Sequence, residues 1–446
     1  MGGSNAIILS SSSSSSSSRA GANGQLGQPS SAAAAAAAAA GKPSAADAVI
    51  DEYFPQARRC SSSWIQEYGE LHAKIRSGSS PPRFLVSVPV EAGIADRLAG
   101  MMSEFYLAML TKRAFTTAPH AMLPGWGAVC DAPHFNWTSA PDGLLDDAVD
   151  TLKYTYKGQP GYLGDRPFPA SVDRSKYAAL YLVNSGGDFF ATDDLTQLPV
   201  NKTEVPYLLA SSNRGHTFQI ASNPHHKPTF WRHGLPAHDA FMCGFFWLCR
   251  PNAAVLGYYE RYWKMLADPT ALKIGIQMRQ GDWALNGADK GQKAGEAMLE
   301  RASRWFECAE RLEKAFAAPG QKVIWFLNSD SHQFRVSAKQ KFGDKLITDT
   351  DLVMWHPDCA TINPEKCQRD LMDLSFVHSL GSILSFSMMD YHVVTDESGF
   401  GRLGAWLSGR WSNIYEIVLY PETEALSCDP RKPTPPDVDA GMWSGV

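Results

Sequence analysis

The chain has 446 residues, of which 44% are hydrophobic and 20% are charged, and its formal net charge is −5. These proportions are those of an ordinary soluble globular protein. The weakly acidic balance argues against a nucleic-acid partner held by bulk electrostatic attraction. No apolar stretch approaches the roughly 20 residues of a transmembrane helix, so the sequence shows no membrane span.

Low-complexity sequence fills the amino-terminal part of the chain. Residues 10–18 are all serine and residues 32–40 are all alanine. Neither run has an apolar face to bury, which predicts a disordered tail over 1–45. The rest is longer than one hydrophobic core usually supports. We therefore predict a helical lead-in and linker over 46–82 and two domains, 83–267 and 268–446.

The first predicted domain opens with a strand, a glycine turn and a helix. The predicted elements, in chain order, are a lead-in helix at 62–76, a strand at 84–90, a loop at 91–95, a helix at 96–113, strands at 177–183 and 205–210, and an aromatic-rich helical stretch at 240–265. The helix at 96–113 is apolar on more than one face, which is typical of burial against a sheet. The first three elements of the domain form half of a nucleotide-fold repeat.

The second predicted domain alternates strands with helices. The elements are a strand at 272–278, a helix at 298–316, strands at 322–331 and 345–349, a helix at 371–388, and a strand, glycine loop and helix over 391–407. Such alternation predicts a parallel sheet flanked by helices. The fold class is therefore α/β, with two Rossmann-like lobes and a cleft between them.

Polar residues follow three strands of the second domain. Ligands of open parallel sheets bind beyond the carboxyl ends of the strands. The residues collected there are Arg279 and Asp282, then Asn328, Ser329 and Asp330, then Ser398, Gly399, Phe400 and Gly401. A cation, hydroxyls and glycine-loop amides at a helix N-terminus predict a phosphate site. Each residue alone is more often structural, but the three groups together favour a ligand.

Several motifs of other enzyme classes are missing. We identify no GxxxxGK[ST] and no proper GxGxxG, which disfavours P-loop kinases and simple NAD dehydrogenases. Without HExxH or a closely spaced carboxylate pair we expect no metal, and His225 and His226 are predicted to be a loop dipeptide. The absence of GxSxG disfavours an α/β-hydrolase.

Cysteines and sequons leave the compartment open. The eight cysteines include no CxxC pair, so a structural zinc site is disfavoured. Disulfides and free thiols remain equal alternatives, and Cys359 with Cys367 could close a small loop. Two N-x-S/T sequons begin at Asn136 and Asn201, about as many as chance gives. Residues 1–18 lack a basic stretch followed by an apolar one, so no signal peptide is predicted.

Seven stretches follow one another in a recognisable order between about residues 64 and 410. They are GIADRLAGMMSEFYLAMLTKRAF (93–115), SSNRG (211–215), NPHHKPTFWRHGL (223–235), FFWLCRPNAAV (245–255), IGIQMRQGD (274–282), FLNSDS (326–331) and ESGFGRLGAWL (397–407). As a set they resemble the fucosyltransferases, in particular the plant xyloglucan-type α-1,2-fucosyltransferases and their algal relatives. Ala95 stands where that family usually has a second glycine, and Gln277 is the residue of the plant type.

The resemblance implies a GT-B fold, with the acceptor on the first lobe and a GDP-sugar donor on the second. It implies transfer of fucose from GDP-fucose, with inversion and without a metal, to a glycan or cell-wall-type acceptor. It also implies the Golgi or secretory pathway, although no anchor is visible and a cytoplasmic location stays open. The oligomeric state is left undetermined.

Residue roles follow from the same resemblance. Arg279 would pair with the β-phosphate and stabilise charge on the leaving diphosphate. Asp282 would orient Arg279 or hold a sugar or ribose hydroxyl. Ser398 and the amides of Phe400 and Gly401 would bind phosphate oxygens. The other implied positions are Asn328, Ser329, Asp330 and Ser331 on the guanosine side, Gly399 in the donor loop, and Gly93 and Arg97 facing the diphosphate.

The base that takes the acceptor proton is not identified. Asp96, Asp188 and Asp396 are candidates, and Asp96 could instead steer Arg97 or cap its helix. Arg214 is a candidate cleft residue or, equally, a structural arginine.

Two alternatives to an active fucosyltransferase stay open. Ala95 and the lack of a visible anchor favour a degenerate nucleotide-sugar-binding or carbohydrate-binding relative. A Rossmann-type oxidoreductase would need NAD binding that depends on Gly399 and Gly401.

Overall fold

A computed structural model describes residues 45–60, 62–120, 123–152, 162–163, 168–183, 187–198, 205–281, 292–351, 353, 369–396, 398–418 and 428–437. The tail predicted over 1–45 lies outside these residues, apart from Ala45. Asp282, Cys359, Cys367 and Asn201 also lie outside them.

The first part of the described chain builds a five-stranded sheet in the order β2-β1-β6-β5-β4. Its elements are α1 (Ala45–Tyr53), a 3-10 turn (Pro55–Cys60), α2 (Ser63–Arg76), β1 (Phe84–Ser87), α3 (Ile94–Leu110), β2 (Ala114–Thr117), β3 (Cys130–Asp131), α4 (Asp146–Asp150), β4 (Tyr162–Leu163), β5 (Tyr177–Leu182), α5 (Phe189–Thr192), β6 (Tyr207–Ser212), α6 (Thr217–Ser222), α7 (Lys227–Arg232), α8 (Ala237–Leu248), β7 (Arg250–Pro251) and α9 (Ala253–Leu266). Within this sheet the strands pair in parallel, except that β4 runs antiparallel to β5. Strands β3 and β7 form a separate antiparallel pair.

The second part builds a fully parallel sheet in the order β10-β9-β8-β11-β12. Its elements are β8 (Leu272–Met278), α10 (Gln292–Arg301), α11 (Ser303–Phe316), β9 (Val323–Ser329), α12 (His332–Phe342), β10 (Leu346–Ile347), α13 (Arg369–Ser387), β11 (Tyr391–Thr395), α14 (Gly399–Leu407) and β12 (Ile414–Ile417). The predicted α/β class, with parallel sheets flanked by helices, is confirmed.

Several predicted boundaries were wrong for local reasons. The helical stretch predicted over 240–265 is two helices, because Pro251 has no backbone N–H to donate and its short strand separates α8 from α9. The helix predicted over 298–316 is also two, α10 and α11. Helix α3 begins at Ile94 rather than at residue 96. Strands β2 and β12 were missed, since four residues give too short an apolar pattern.

One continuous hydrophobic core joins helices from both parts of the chain. It includes Phe105 on α3, Phe246 on α8, Trp263 on α9, Phe386 on α13 and Trp406 on α14, all of them fully or almost fully buried. Two smaller cores cover the other face of each sheet. Helices from the first and second parts of the chain therefore pack on one another in one core.

Three disulfides join distant parts of the chain: Cys60–Cys243, Cys130–Cys249 and Cys308–Cys428. Every cysteine in the described part of the chain is paired. For these six cysteines the structure decides between the two alternatives in favour of disulfides. In the same described ranges, no helix has the length and apolar character needed to cross a membrane.

Candidate functional site

The carboxyl edge of the second sheet brings together residues from three neighbouring strands. In the parallel register, Gln277 and Met278 of β8 lie beside Asn328 and Ser329 of β9. On the other side of β8, the Thr395 N–H donates to Gln277 Oε1 at 3.1 Å. The strand-end residues predicted to converge therefore do so, except Asp282, which lies outside the described residues.

The chain turns sharply where β8 ends. Gly281 has φ 109°, a conformation that favours glycine over residues with a Cβ. The Asp330 carboxylate stabilises this turn by accepting hydrogen bonds from the backbone N–H groups of Gln280 (2.7 Å) and Gly281 (2.9 Å). Burial raises the pKa of Asp330, while these two N–H groups and the charge of Arg279 lower it. Asp330 was expected to bind the guanosine part of the donor. In the structure its carboxylate supports the turn that follows Arg279.

Gln277 and Thr395 fix the arginine's backbone. Arg279 N–H donates to Thr395 Oγ1 at 3.1 Å, and that hydroxyl donates to the Gln277 carbonyl at 3.1 Å. The Gln277 carboxamide donates from Nε2 to Ser398 Oγ at 3.0 Å. All three residues that hold the arginine's strand end, Gln277, Thr395 and Ser398, are buried. The main chain under Arg279 is therefore attached to the start of α14.

The N-cap residue of α14 does not cap the helix with its side chain. Ser398 is the N-cap residue, but its side chain makes no capping hydrogen bond to the helix. The first-turn amides of Gly399, Phe400 and Gly401 consequently need another acceptor. A Cβ at Gly401 would lie 2.5 Å from Gln277 Oε1, so a larger residue there would displace the carboxamide. Uncapped amides with the positive end of the helix dipole can bind an anion.

Asn328 and Arg402 also lie near this edge, and their side chains differ in hydrogen bonding. Asn328 is 7% exposed, and its Nδ2 has no hydrogen-bond partner within the described ranges. Arg402, one turn into α14, is fully buried and donates to Glu416 Oε1 from Nε at 2.8 Å and from Nη2 at 2.6 Å. Arg402 therefore has a structural role as the partner of Glu416. The buried Asn328 Nδ2, in contrast, donates to no acceptor within the described residues.

The predicted residues of the first lobe lie along α3. Gly93 is the N-cap of that helix and has no side chain to cap it, and Asp96 lies inside the helix, so the alternative in which Asp96 caps it is wrong. The negative charge of Asp96 acts instead on Arg214. Burial lowers the pKa of Arg214 to about 10, and Asp96 opposes this shift.

Arg97 is enclosed between two aromatic rings. Its guanidinium lies 4.8 Å from the ring centroid of Phe376 on α13 and 5.4 Å from that of Trp126. Nη2 donates to the Pro124 carbonyl at 2.7 Å, but Nε and Nη1 are buried without a partner in the described part of the chain. The side chain is 4% exposed, and burial lowers its pKa to about 10. A buried cation with unused donors favours an anionic ligand.

The other candidate bases are in different surroundings. Asp188 precedes α5, and its charge raises the pKa of His216, which burial and Arg214 together lower to about 4. Asp396 follows β11, and its backbone N–H donates to the Ile417 carbonyl at 3.0 Å. Neither contact assigns a proton-transfer role.

Sequence reasoning missed Glu104, a buried acid on α3. It is 2% exposed, and its Oε1 has no partner within the described residues. Burial raises its pKa to about 8, against the hydrogen bonds from the Ser87 side chain and the Ser212 backbone. One feature of the sequence could have indicated its burial: Glu104 is the single acidic residue in the apolar run LAGMMSEFYLAML (98–110).

A second missed group links α9, α13 and the end of β10. His378 Nδ1 lies 2.9 Å from Asp349 Oδ2, and Tyr259 Oη lies 2.8 Å from Ser382 Oγ and 3.4 Å from the same carboxylate oxygen. Burial raises the pKa of Asp349, but the His378 contact and the Asp351 N–H bring it down to about 2. These residues are far apart in sequence, so no spacing pattern revealed them.

The sequence does contain a GxGxxG, contrary to our reasoning from the sequence. Residues 399–404 read GFGRLG, follow β11 and open α14. In a dinucleotide site the second glycine lets the backbone approach the pyrophosphate. Here the space beside Gly401 is occupied by the Gln277 carboxamide. Gly401 thus packs against Gln277 of β8, and Gly404 packs against Ile383 and Phe386 of α13. Because the GxGxxG is present, its supposed absence no longer counts against the dehydrogenase alternative.

No family model matches the chain, and no curated protein does. Among solved structures, an arginine-to-lysine mutant of Arabidopsis thaliana FUT1 in complex with GDP is similar, with a TM-score of 0.54 and 16% identity over 82% of this chain and 81% of that one. Fucosyltransferase NodZ from Bradyrhizobium has a TM-score of 0.40 and 13% identity, over 76% of this chain and 96% of its own. The likeness to the Arabidopsis structure shows the fold, and the predicted GT-B arrangement is confirmed.

Proposed function

We propose that this chain is a fucosyltransferase that transfers L-fucose from GDP-fucose to a glycan or cell-wall-type acceptor with inversion. The observation that carries the proposal is the uncapped N-terminus of α14 beside the strand end that bears Arg279. The negative charge of a nucleoside diphosphate suits both features.

The chemistry assigns a task to each group. As the bond between fucose and the diphosphate breaks, negative charge grows on the β-phosphate. Arg279 pairs with that phosphate through its planar fork, and the amides of Phe400 and Gly401 bind its neighbouring oxygens. These donors stabilise the leaving group more in the transition state than in the ground state, which is the condition for catalysis.

Asn328, near the carboxyl end of β9, suits the nucleoside. Its buried Nδ2 has no acceptor among the described residues, and a carbonyl or ring nitrogen of guanine would supply one. In the Arabidopsis FUT1 complex, which has a similar fold, the bound ligand is GDP. On the first lobe, the two unused Arg97 donors suit a further anionic group of the donor.

The leaving group needs positive charge, and we propose that the protein supplies it without a metal. Arg279 and the α14 amides are the proposed source, so transfer is expected to survive EDTA. Of the residues that the structure describes, no three His, Cys, Asp or Glu side chains are grouped as metal ligands would be.

The disulfides favour an oxidising compartment. Three bonds between cysteines 119 to 183 residues apart are expected in an oxidising environment and are rare in the cytosol. We therefore propose that the protein works in the secretory pathway, as a Golgi glycosyltransferase would.

Ligand-induced stabilisation tests the proposal directly. The melting temperature should rise with GDP and GDP-fucose and stay constant with NAD, because a ligand that binds only the folded state stabilises it. Product analysis with GDP-fucose and galactose-terminated acceptors should then reveal a fucosylated product. Stabilisation by NAD alone would support an oxidoreductase, whereas GDP binding without transfer to any acceptor would support a degenerate relative.

A further inference from the structure

Asn136 occupies an unusual place on the first lobe. It is the first residue of the sequon Asn136-Trp137-Thr138, five residues beyond β3, in a stretch that is neither helix nor strand. Asn136 is exposed, while its two chain neighbours, Phe135 and Trp137, are 8% and 0% exposed. The loop therefore turns one asparagine outward between two buried aromatic rings.

Both neighbours are held firmly. Trp137 Nε1 donates to the Leu248 carbonyl at 2.7 Å, and the Trp137 carbonyl accepts from Thr117 N–H at 2.9 Å. Phe135 packs against the rings of Tyr68 and His72 at centroid distances of 5.2 and 4.5 Å. With the flanking residues fixed, a large group on Asn136 would project into solvent without displacing the core.

The sequon side chains already face each other. Thr138 Oγ1 donates to Asn136 Oδ1 at 3.4 Å. That contact uses the carbonyl oxygen of the Asn136 amide and leaves Nδ2, the atom that carries a sugar in N-glycosylation, directed away from it.

The redox chemistry of the same segment points to the compartment in which such modification occurs. Cys130, six residues before Asn136, is bonded to Cys249 at the end of α8. Disulfides of this kind form where secreted proteins fold. A chain that forms this disulfide would fold in the compartment where N-glycosylation takes place, with the Asn136 sequon exposed.

We propose that Asn136 is an N-glycosylation site. Asn136 Nδ2 forms a bond to the anomeric carbon of the first sugar of a lipid pyrophosphate-linked oligosaccharide. The bond from that carbon to the pyrophosphate oxygen breaks, the lipid pyrophosphate leaves with the electron pair, and Nδ2 loses one proton. The glycan then covers the surface around β3 and the Cys130–Cys249 disulfide.

Peptide mapping of the full chain tests the proposal. The protein is directed into the secretory pathway of eukaryotic cells by an added cleavable leader and is purified with its disulfides intact. Treatment with peptide N-glycosidase in ¹⁸O-labelled water should convert Asn136 to labelled aspartate. An unlabelled Asn136 in protein whose three disulfides have formed would overturn the proposal, and this measurement on the unaltered chain does not depend on how any variant folds.

Matched variants separate the two sequons. Thr138→Ser keeps the sequon and should keep the glycan, whereas Thr138→Ala should lose it while disulfide mapping and the melting temperature report the fold. Asn201→Gln should leave the label at Asn136 in place. A label that persists in Thr138→Ala, or one that vanishes in Asn201→Gln, would contradict the assignment.

Discussion

Gln277 Nε2 donates a hydrogen bond to Ser398 Oγ across 3.0 Å, between the end of β8 and the start of α14. The two side chains are 3% and 2% exposed, so water does not compete for the contact. The Ser398 side chain accepts from the glutamine and makes no capping hydrogen bond to its own helix. The first-turn amides of α14 therefore need an acceptor other than the Ser398 hydroxyl.

Gly401→Ala should weaken GDP binding without unfolding the protein. The added Cβ would lie 2.5 Å from Gln277 Oε1, so the carboxamide must move and disturb its contact with Ser398. We expect the Kd for GDP to rise about tenfold, equivalent to about 1.4 kcal/mol. Isothermal titration calorimetry measures it.

The matched control is Gly257→Ala on α9, also a helical glycine. It is exposed, and nothing lies within 4 Å of an added Cβ. GDP affinity should stay unchanged, and stability should rise by about 0.5 to 1 kcal/mol through the better helix propensity of alanine. Equal GDP affinity in the two alanine variants would remove Gly401 from the site.

Arg279→Lys should abolish most transfer while the fold persists. An ammonium is a point charge and cannot make the bidentate contact of a guanidinium with a phosphate. We expect kcat to fall by about 100-fold or more, the usual effect of losing one donor to a developing oxyanion. Arg261→Lys, at an exposed ion pair with Asp351, is the control and should retain full activity. An unaltered kcat/KM in Arg279→Lys would exclude Arg279 from the mechanism.

The sequence predicted the strand that carries the arginine but not the residue that holds its turn. Strand 272–278 was predicted with its observed limits, because its apolar run ends in a glycine turn. Asp282, which was expected to orient Arg279, lies outside the described residues. Asp330 holds the turn from the end of the next strand, and only the register of β8 against β9 brings it there.

The same limit applies to the other features that were missed. Disulfide partners lie 119 to 183 residues apart, so neither spacing nor count could assign them. Glu104 appears to be one polar residue in an apolar helix until β1 and β6 enclose it. Local patterns could be read from the sequence, but contacts between distant segments could not be predicted from it.

Asp330→Ala should destabilise the turn after β8. Two backbone N–H groups, of Gln280 and Gly281, would lose their common acceptor. Leaving buried donors unsatisfied costs about 1 to 3 kcal/mol of unfolding free energy. Denaturant titration measures the loss, and GDP affinity should fall with it because Arg279 precedes this turn.

The exposed Asp344 provides the comparison for that substitution. Asp344→Ala should change the unfolding free energy by less than about 0.5 kcal/mol, as is usual for surface positions. If Asp330→Ala were as mild, the carboxylate would not be what holds the turn.

Glu104→Gln should change how stability depends on pH. Burial raises the pKa of Glu104 to about 8 from an ordinary value of 4.5. Between these values the folded protein holds a proton that the unfolded chain has released, so the unfolding free energy falls as pH rises. The contribution of this group to the slope is about 1.4 kcal/mol per pH unit. The glutamine variant should lack it and should be the more stable protein above pH 8.

Denaturant titrations of both proteins at pH 5.5, 7 and 8.5 measure this slope. Glu70→Gln, an exposed substitution on α2, corrects for the general effect of removing one carboxylate. Parallel pH profiles of the wild type and Glu104→Gln would show that Glu104 titrates normally, which would contradict its burial.

Removing the Cys308–Cys428 disulfide should destabilise the second lobe. Cys308 lies on α11, and Cys428 begins a segment attached to β12: Tyr415 Oη donates to the Pro430 carbonyl at 2.8 Å, and Thr434 N–H donates to the Ile414 carbonyl at 2.8 Å. The bond closes a loop of 120 residues. Removing a native disulfide of this kind is expected to lower the unfolding free energy of the protein by about 2 to 5 kcal/mol.

The double variant Cys308→Ala with Cys428→Ala tests this without leaving a free thiol. Its unfolding free energy should fall within that range, while GDP affinity should stay near the wild-type value, because neither cysteine contacts the edge that carries Arg279. Adding reductant should destabilise the wild type more than the double variant, since one of the bonds it cleaves is already missing there. A double variant as stable as the wild type would mean that the hydrogen bonds to β12 alone hold the segment in place.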